Sequence, residues 1–209
     1  ISLGLVGSEM CIRDRDYQAA RPSYAQEFLD WLGELYAPPE RYTAADIGSG
    51  TGKLSAQLLA AGFRVCGVEP NPDMRGAAEA LLGGDPRFSS SNGTDHDTGL
   101  PDRSVDMVAA AQAFHWFDGP AFARECRRIL RPGGRAVLVW NVRGSAPMNQ
   151  ALAQVFREHC PSFHGFTGGM GEDDPRIRDF FGGAYEKRRF PNPLTLDRDR
   201  FLRRCFSSS

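Results

Sequence analysis

Asp46-Ile-Gly-Ser-Gly-Thr-Gly52 is the stretch that decides how this chain folds. The apolar segment Thr43 to Ile47 leads into the glycines, and a segment with leucines at helical spacing, Lys53 to Ala61, follows them. A strand, a glycine-rich turn and a helix in this order are typical of the edge at which an open α/β sheet binds its ligand. Three alternating glycines are more than a tight turn needs, and a side chain there would hold a ligand away from the backbone.

The alternation of strand and helix continues outward from this turn to about residue 140. Apolar strand patterns lie at 63–68, 105–111 and 135–140, and a weaker one lies at 87–90, where serines are poor strand formers. Near-continuous apolar strands need both faces of their sheet covered, so we expect an α/β fold with a doubly wound, mostly parallel sheet. Beyond residue 144 the pattern loosens into helices, a glycine-rich loop and a further strand from Tyr185 to Phe190.

The composition excludes several classes of protein. The 25 basic residues nearly balance the 26 acidic ones, so no net field draws the chain to nucleic acid or to anionic lipid. The five cysteines are odd in number and form no C-x-x-C pair, and His159 and His164 are isolated, which argues against a disulfide framework or a metal site. No apolar run approaches the ~20 residues that span a bilayer. We expect a cytoplasmic protein that acts on a small molecule, with no metal, nucleic acid or membrane partner; its oligomeric state is left open.

The two ends of the chain depart from this pattern. Residues 5–15, LVGSEMCIRDR, resemble the translated read-through of a sequencing adapter, so residues 1–15 are predicted to be a non-native segment, with a short natural segment as the alternative. The chain stops at Phe206-Ser-Ser-Ser209 directly after an amphipathic pattern, which predicts a C-terminally truncated frame. Residues 16–209 are then expected to form one domain.

The spacing of the glycines separates the ligands that such a turn can bind. A phosphate-binding P-loop requires G-x-x-x-x-G-K-[ST], and the chain fails it at Ile47 and at Leu54. A dinucleotide fingerprint requires G-x-G-x-x-G, and its last position falls on Lys53 or Ser55. Asp46 would repel a diphosphate but suits a cationic head, such as an ammonium group beside a sulfonium. This charge argument favours S-adenosylmethionine.

From about Tyr17 to Trp140 the chain resembles the class I S-adenosylmethionine-dependent methyltransferases, and in particular the group called methyltransferase type 11. Five ordered segments carry the resemblance: Asp46 to Gly52, Val68 to Asn71, Leu100 to Asp106, Ala111 to Asp118 and Ile129 to Gly134. The resemblance implies a Rossmann-like methyltransferase fold, with 16–143 as the cofactor-binding core and 144–209 as the substrate-side region. The sheet of that family ends in an antiparallel strand for which the chain offers no candidate before Ser209, so we expect this strand to be lacking.

The same resemblance implies roles for individual residues. Glu69, at the end of the second strand, is expected to accept both ribose hydroxyls of the cofactor. Gln112 is expected to line the site near the transferred methyl group, and His115 is a candidate general base, with a structural histidine as the open alternative. The implied cofactor-binding residues are Asp46, Gly48, Ser49, Gly50, Thr51, Gly52, Glu69, Pro70, Met74, Thr94, Asp95, Gln112, Arg21 and Tyr24.

Three of these assignments have alternatives. Met74 either lies on the adenine face or packs in the core. Asp95 is displaced by one position from the acid of the family, so either its carboxylate or a backbone carbonyl meets the adenine amine. Arg21, in an N-terminal lid with Tyr17 and Tyr24, either pairs with the methionine carboxylate or faces solvent.

The sequence thus predicts an enzyme that transfers a methyl group from S-adenosylmethionine to a small molecule by in-line displacement. The alternatives are an inactive or non-catalytic fragment that binds the cofactor and, from another class, an NAD-dependent oxidoreductase. The identity of the methyl acceptor, the acceptor atom and the activity of the truncated chain are left open.

Overall fold

A computed structural model describes residues 22–142, 147–160, 170–171 and 173–206. Its sheet has five strands in the order β3-β2-β1-β4-β5, and every neighbouring pair among them is parallel. The strands are β1 Thr43–Ile47, β2 Arg64–Val68, β3 Phe88–Ser91, β4 Val105–Ala111 and β5 Leu130–Val139. This is the α/β fold with a doubly wound parallel sheet that the sequence predicts.

Seven α-helices are found among the described residues. They are α1 Gln26–Leu35, α2 Lys53–Ala60, α3 Pro72–Leu82, α4 Gly119–Ile129, α5 Pro147–His159, α6 Pro175–Phe180 and α7 Arg198–Phe206. None of the helices among the described residues is long and apolar enough to cross a membrane.

The strand order reverses between β1 and β4. The chain moves outward from β1 to β2 and β3, and then returns to the other side of β1 with β4 and β5. Crossovers on the two sides diverge at such a point and leave a crevice at the carboxyl ends of the central strands, where open α/β sheets bind ligands. The glycine turn after β1 and the segment after β4 both begin at this edge.

Apolar side chains bury both faces of the sheet. On one face, Phe114, Phe122 and Ile129 pack with Phe180 of α6. On the other, Leu32 of α1 and Leu58 of α2 pack with Phe63. Because each face has its own cluster, the central strands are apolar nearly throughout, which is the pattern that identified them in the sequence.

β5 begins earlier than its predicted start at Arg135. Leu130 pairs with Val105 and Arg135 pairs with Met107, so residues 131–134 are looped out of the ladder as an irregularity between the two pairs. Gly134 sits where a Cβ would lie 2.9 Å from the carbonyl oxygen of Asp106. Pro132-Gly133-Gly134 therefore lies inside the strand rather than before it.

The predicted strand from Tyr185 to Phe190 is wrong. Residues 184–190 are irregular backbone, and side chains rather than ladder bonds hold the segment. Phe190 packs edge-on against Phe28, and the guanidinium carbon of Arg188 lies 5.1 Å from the ring centre of Trp31. These contacts attach the segment to α1.

Contacts divide the chain into two units. One comprises 24–140 and 170–191 and contains the whole sheet. The other includes the described residues of 141–169 and 192–206 together with Pro22 and Ser23. In this second unit Asn192 donates to the Asn141 side chain (2.9 Å) and to the Ser23 carbonyl (2.7 Å). The predicted division of the chain at residue 143 stays a prediction.

Candidate functional site

The turn after β1 is tied to the end of β2. The backbone nitrogens of Gly48 and Ser49 both donate to the Val68 carbonyl, at 2.9 and 3.1 Å. The Gly52 nitrogen then closes a turn onto the Ser49 carbonyl at 3.0 Å. The turn through Thr51 is thus held at both ends before α2 begins.

The three glycines serve two different purposes. All three have positive φ, at 68°, 56° and 82° for Gly48, Gly50 and Gly52, which side chains disfavour. A Cβ on Gly48 would lie 2.8 Å from the Cβ of Ala113, and one on Gly52 would lie 2.9 Å from Leu82. A Cβ on Gly50 would meet nothing within 4 Å. Packing therefore explains two of the glycines, whereas the middle one leaves its side open to an approaching group.

Glu69 directly follows β2 and is 7% exposed. Its Oε2 accepts a hydrogen bond from the Gly50 nitrogen at 2.8 Å, and its Oε1 accepts one from the Asn71 nitrogen at 2.9 Å. Each carboxylate oxygen can accept a second bond. The geometry thus holds the carboxylate rigidly against the turn while two acceptor positions remain.

Asp46 lies on β1 beneath the same turn and is 1% exposed. Its Oδ2 accepts a hydrogen bond of 2.7 Å from the Ser55 hydroxyl, whereas its Oδ1 has no hydrogen-bond partner among the described residues. Burial raises the pKa of Asp46 to about 6, against the lowering effect of the Ser55 hydroxyl and backbone and with a smaller raising effect of the Glu69 charge. This carboxyl group is incompletely satisfied within the described chain.

The segment after Glu69 places α3. Pro70 is exposed, and the Asn71 side chain caps the helix by accepting bonds from the nitrogens of Asp73 and Met74 at 2.9 and 3.1 Å. Met74 is half-buried on the first turn. Arg75 donates to the Glu69 carbonyl at 2.8 Å and to the Asn92 side chain at 3.0 Å, and so links the end of β2 to the segment after β3.

Asp95 connects the segment after β3 with the segment after β4. Its Oδ2 accepts a bond from the Asp118 nitrogen at 3.1 Å, and its Oδ1 lies 3.1 Å from His96 Nδ1. Thr94 closes a local turn, with its hydroxyl accepting from the Asp97 nitrogen. The side chain of Asp118 in turn caps α4 at Ala121. The predicted adenine contact thus lies in a segment that is already fixed by several bonds.

The segment after β4 alternates between buried and accessible residues. Gln112 has a positive φ of 56°, and its nitrogen donates to the Val139 carbonyl at 2.9 Å. A 3₁₀ helix, Phe114–Trp116, follows, in which Phe114 is buried and His115 is half-buried. Trp116 is 82% exposed and its ring centre lies 4.9 Å from that of His115. An L-residue in the left-handed region is strained, and such strain clusters at functional sites.

The remaining predicted residues divide into two groups. Tyr24 is half-buried and exchanges hydrogen bonds with Gln57, at 2.9 and 3.0 Å. Tyr17 and Arg21 lie outside the described residues, as do residues 1–15. Within the described part of the chain, no group of three metal-ligating side chains is found.

Sequence reasoning missed two residues of this site. Ser55 and Arg75 are the partners of Asp46 and of the Glu69 backbone, and both lie on the first turns of helices, where their sequence positions alone do not indicate these partners. Only the register of α2 over β1 and of α3 over β2 reveals them, and this register is a property of the fold. A polar residue near the start of a helix that follows a buried strand-end acid is the signal that could have found Ser55.

Comparison with known proteins agrees with this geometry. A family model described as methyltransferase domain matches residues 45–138, which run from β1 to β5. An uncharacterized methyltransferase of Mycobacterium tuberculosis is 42% identical over 127 residues, covering 61% of this chain and 49% of the relative. A methyltransferase-like protein of Schizosaccharomyces pombe is 32% identical over 153 residues, covering 71% of this chain and 59% of the relative.

A solved structure matches a larger part of this chain than these two relatives do. It is a candidate type II methyltransferase from Anaeromyxobacter dehalogenans, 32% identical, with a TM-score of 0.54, covering 84% of this chain and 70% of that one. The chain spans about half the length of the curated bacterial relatives it matches.

Proposed function

This chain belongs to the class I S-adenosylmethionine-dependent methyltransferases, and we propose that it transfers the methyl group of that cofactor to a small-molecule acceptor. The observation that carries the proposal is the pairing of an open Gly50 with a rigid, buried Glu69. A backbone turn and an acidic residue at a strand end lie close together here, and this arrangement suits the binding of a ribose.

The donor side of the site is proposed to consist of the turn and the two carboxylates. Glu69 binds the two ribose hydroxyls with the acceptor positions that Gly50 and Asn71 leave unused. The Oδ1 of Asp46, buried and without a partner among the described residues, suits the ammonium group of the amino-acid end. Gly48, Ser49, Thr51 and Gly52 form the backbone wall. The residues present therefore fit the cofactor.

The adenine side is proposed to lie between α3 and the segment after β3. Met74 is accessible enough for its thioether to contact a flat ring, since it is half-buried on the first turn of α3. Pro70 precedes it, and Thr94 and Asp95 follow β3. Because Asp95 already accepts the Asp118 nitrogen, an amine would share this carboxylate rather than have it alone.

The transfer step requires little from the protein beyond positioning. When bound, the cofactor supplies a methyl carbon activated by a sulfonium, which becomes a neutral thioether. Gln112, fixed by its backbone bond to Val139, lines the site on the acceptor side. His115 takes the proton of an acceptor hydroxyl or amine on a ring nitrogen; an acceptor that is already nucleophilic needs no such base. The high effective concentration of the acceptor beside the methyl donor is then the main contribution to the rate of transfer.

Ligand binding tests the proposal directly. Calorimetric titration with S-adenosylmethionine, S-adenosylhomocysteine and NADH is expected to show binding of the first two and none of the third. Methyl transfer is then measured as S-adenosylhomocysteine formed with a small-molecule extract as acceptor. Binding of NADH alone identifies an oxidoreductase, and cofactor binding without transfer to any acceptor identifies a non-catalytic binding protein.

A variant localises the binding to this site. Glu69→Ala removes two charge-assisted hydrogen bonds and is expected to weaken S-adenosylmethionine binding about a hundredfold. Glu27→Ala is the matched control, because it removes an exposed carboxylate from α1. Equal affinities of the wild type and Glu69→Ala would contradict the assignment.

A further inference from the structure

Ser55 is the strongest remaining candidate for a functional residue. It lies on the first turn of α2 and is 0% exposed. Its hydroxyl has one hydrogen-bond partner in the described structure, the Oδ2 of Asp46 at 2.7 Å. Because this small buried hydroxyl donates to a buried acid, the hydrogen bond can affect the orientation and the charge of that acid.

The bond divides the carboxylate of Asp46 into two unlike oxygens. Oδ2 is held by the Ser55 hydroxyl, so the plane of the carboxylate is fixed. Oδ1 is buried and has no hydrogen-bond partner among the described residues, so it is the acceptor that remains for a ligand. A buried carboxylate oxygen without a donor is strongly unfavourable in an isolated fold. The chain keeps this arrangement directly beneath its glycine turn.

Ser55 also favours the charged form of the acid. A hydroxyl that donates to a carboxylate stabilises the anion, and the amino end of α2 adds its dipole in the same direction. Both effects oppose burial, which favours the neutral form, and the Ser55 hydrogen bonds are the contributions that lower the pKa of Asp46. Without the hydroxyl, Asp46 would be more readily protonated and would attract a cation less.

We propose that Ser55 is a positioning residue of the cofactor site: it orients Asp46 and keeps it anionic, so that Oδ1 receives the cofactor's ammonium group. The proposal rests on the function proposed above. It assigns to Ser55 a part in ligand affinity that is confined to the amino-acid end of the ligand. A purely structural serine would instead affect the stability of the fold and every ligand equally.

Two probes distinguish these roles. S-adenosylhomocysteine carries the ammonium group, whereas 5′-methylthioadenosine keeps the adenine and ribose but lacks the amino-acid end. Ser55→Ala is expected to weaken binding of S-adenosylhomocysteine about tenfold, the loss of one oriented charge-assisted bond, and to change binding of 5′-methylthioadenosine by less than about twofold. Calorimetry measures both affinities, and thermal unfolding checks that the variant is folded.

Matched variants sharpen the test. Ser104→Ala also removes a serine hydroxyl with one hydrogen bond, to the Pro101 carbonyl, at the far end of β4, and should affect neither probe. Ser55→Thr keeps the hydroxyl and should restore most of the affinity for S-adenosylhomocysteine. In an Asp46→Asn background, Ser55→Ala should cause no further loss, because the charge it orients is gone.

The outcomes separate this inference from the proposed function. An equal loss for both probes shows that Ser55 only maintains the fold, and an unchanged affinity for S-adenosylhomocysteine shows that the hydroxyl is not needed; either result overturns the inference while the proposed function stands. If the wild type binds neither S-adenosylhomocysteine nor S-adenosylmethionine, the proposed function is wrong, and the inference fails with it.

Discussion

Glu125 and Asp46 are both buried carboxylates of the sheet-containing unit, yet their surroundings are opposite. Glu125 of α4 accepts bonds from the Thr98 nitrogen and hydroxyl and from two nitrogens of Arg128, at 2.6 to 2.9 Å. Burial raises its pKa, but the bonds from Arg128 and Thr98 outweigh burial and lower the pKa to about 2. At Asp46 burial dominates and the pKa is raised to about 6.

The hydrogen bonds of Glu125 are complete and stabilise the fold, whereas those of Asp46 are incomplete. The Glu125 network also includes Asp102, which Arg128 contacts at 2.7 Å, and so joins the loop after β3, the approach to β4 and α4. Every oxygen of Glu125 has a donor. At Asp46 the Oδ2 is hydrogen-bonded, whereas the buried Oδ1 has no partner among the described residues, which decreases stability until another group supplies a donor.

The largest expected effect is the pH dependence of Asp46→Asn. A carboxyl group whose folded pKa, about 6, exceeds its unfolded value of 3.8 binds more protons in the folded state, so it lowers stability as pH rises through this window. Relative to the wild type, Asp46→Asn should therefore gain about 3 kcal/mol between pH 3.5 and pH 7. Urea denaturation at several pH values measures the difference. A flat difference would show that Asp46 is not destabilising.

Glu125→Ala should have a smaller effect of the opposite sign. Removing one partner of a buried ion pair typically costs 3–5 kcal/mol. Because the Arg128 side chain is 37% exposed, we expect a loss of about 2 kcal/mol at pH 7. The folded pKa of Glu125 is depressed, so its stabilisation is present above the unfolded value of 4.5 and disappears as pH falls toward 2. If the wild type and the variant are equally stable at pH 7, Glu125 does not stabilise the fold.

The smallest expected effect concerns backbone strain in the two regions. Gln112, in the site, and Arg103, before β4, are the described non-glycine residues with positive φ, at 56° and 50°. Replacing either by glycine should raise the free energy of unfolding by about 0.5–1 kcal/mol. Only Gln112→Gly should also lower the rate of methyl transfer, measured as S-adenosylhomocysteine formed. Equal rates in both variants would show that the Gln112 side chain has no part in the reaction.

Much of the fold could be predicted because glycines and polar residues interrupt its apolar strand patterns. β1 and β4 have the predicted bounds, since Gly48 ends the first pattern, and Ser104 and Gln112 flank the second. In the site, the turn and Glu69 were predictable for the same reason. A strand-end acid nineteen residues after a glycine is a local spacing, and it needs no knowledge of packing.

The rest depended on contacts between distant segments. In the Tyr185 to Phe190 segment the aromatic residues are five apart, so they fall on opposite sides of an extended chain, and α1 provides the surface that determines its path. Similarly, Ser55 reaches Asp46 only because α2 folds back over β1. The Asp95 to Asp118 bond requires β3 and β4 to end at the same edge although β2 and β1 separate them.

The close packing of Gly48 on Ala113, with Phe117 also near it, constrains how such a protein can diversify. Ala113 and Phe117 belong to the segment after β4, so their side chains limit what the glycine turn can accept, and a larger residue on one side requires a smaller one on the other. Trp116 lies in the same segment but is 82% exposed, so it can be exchanged without disturbing this packing.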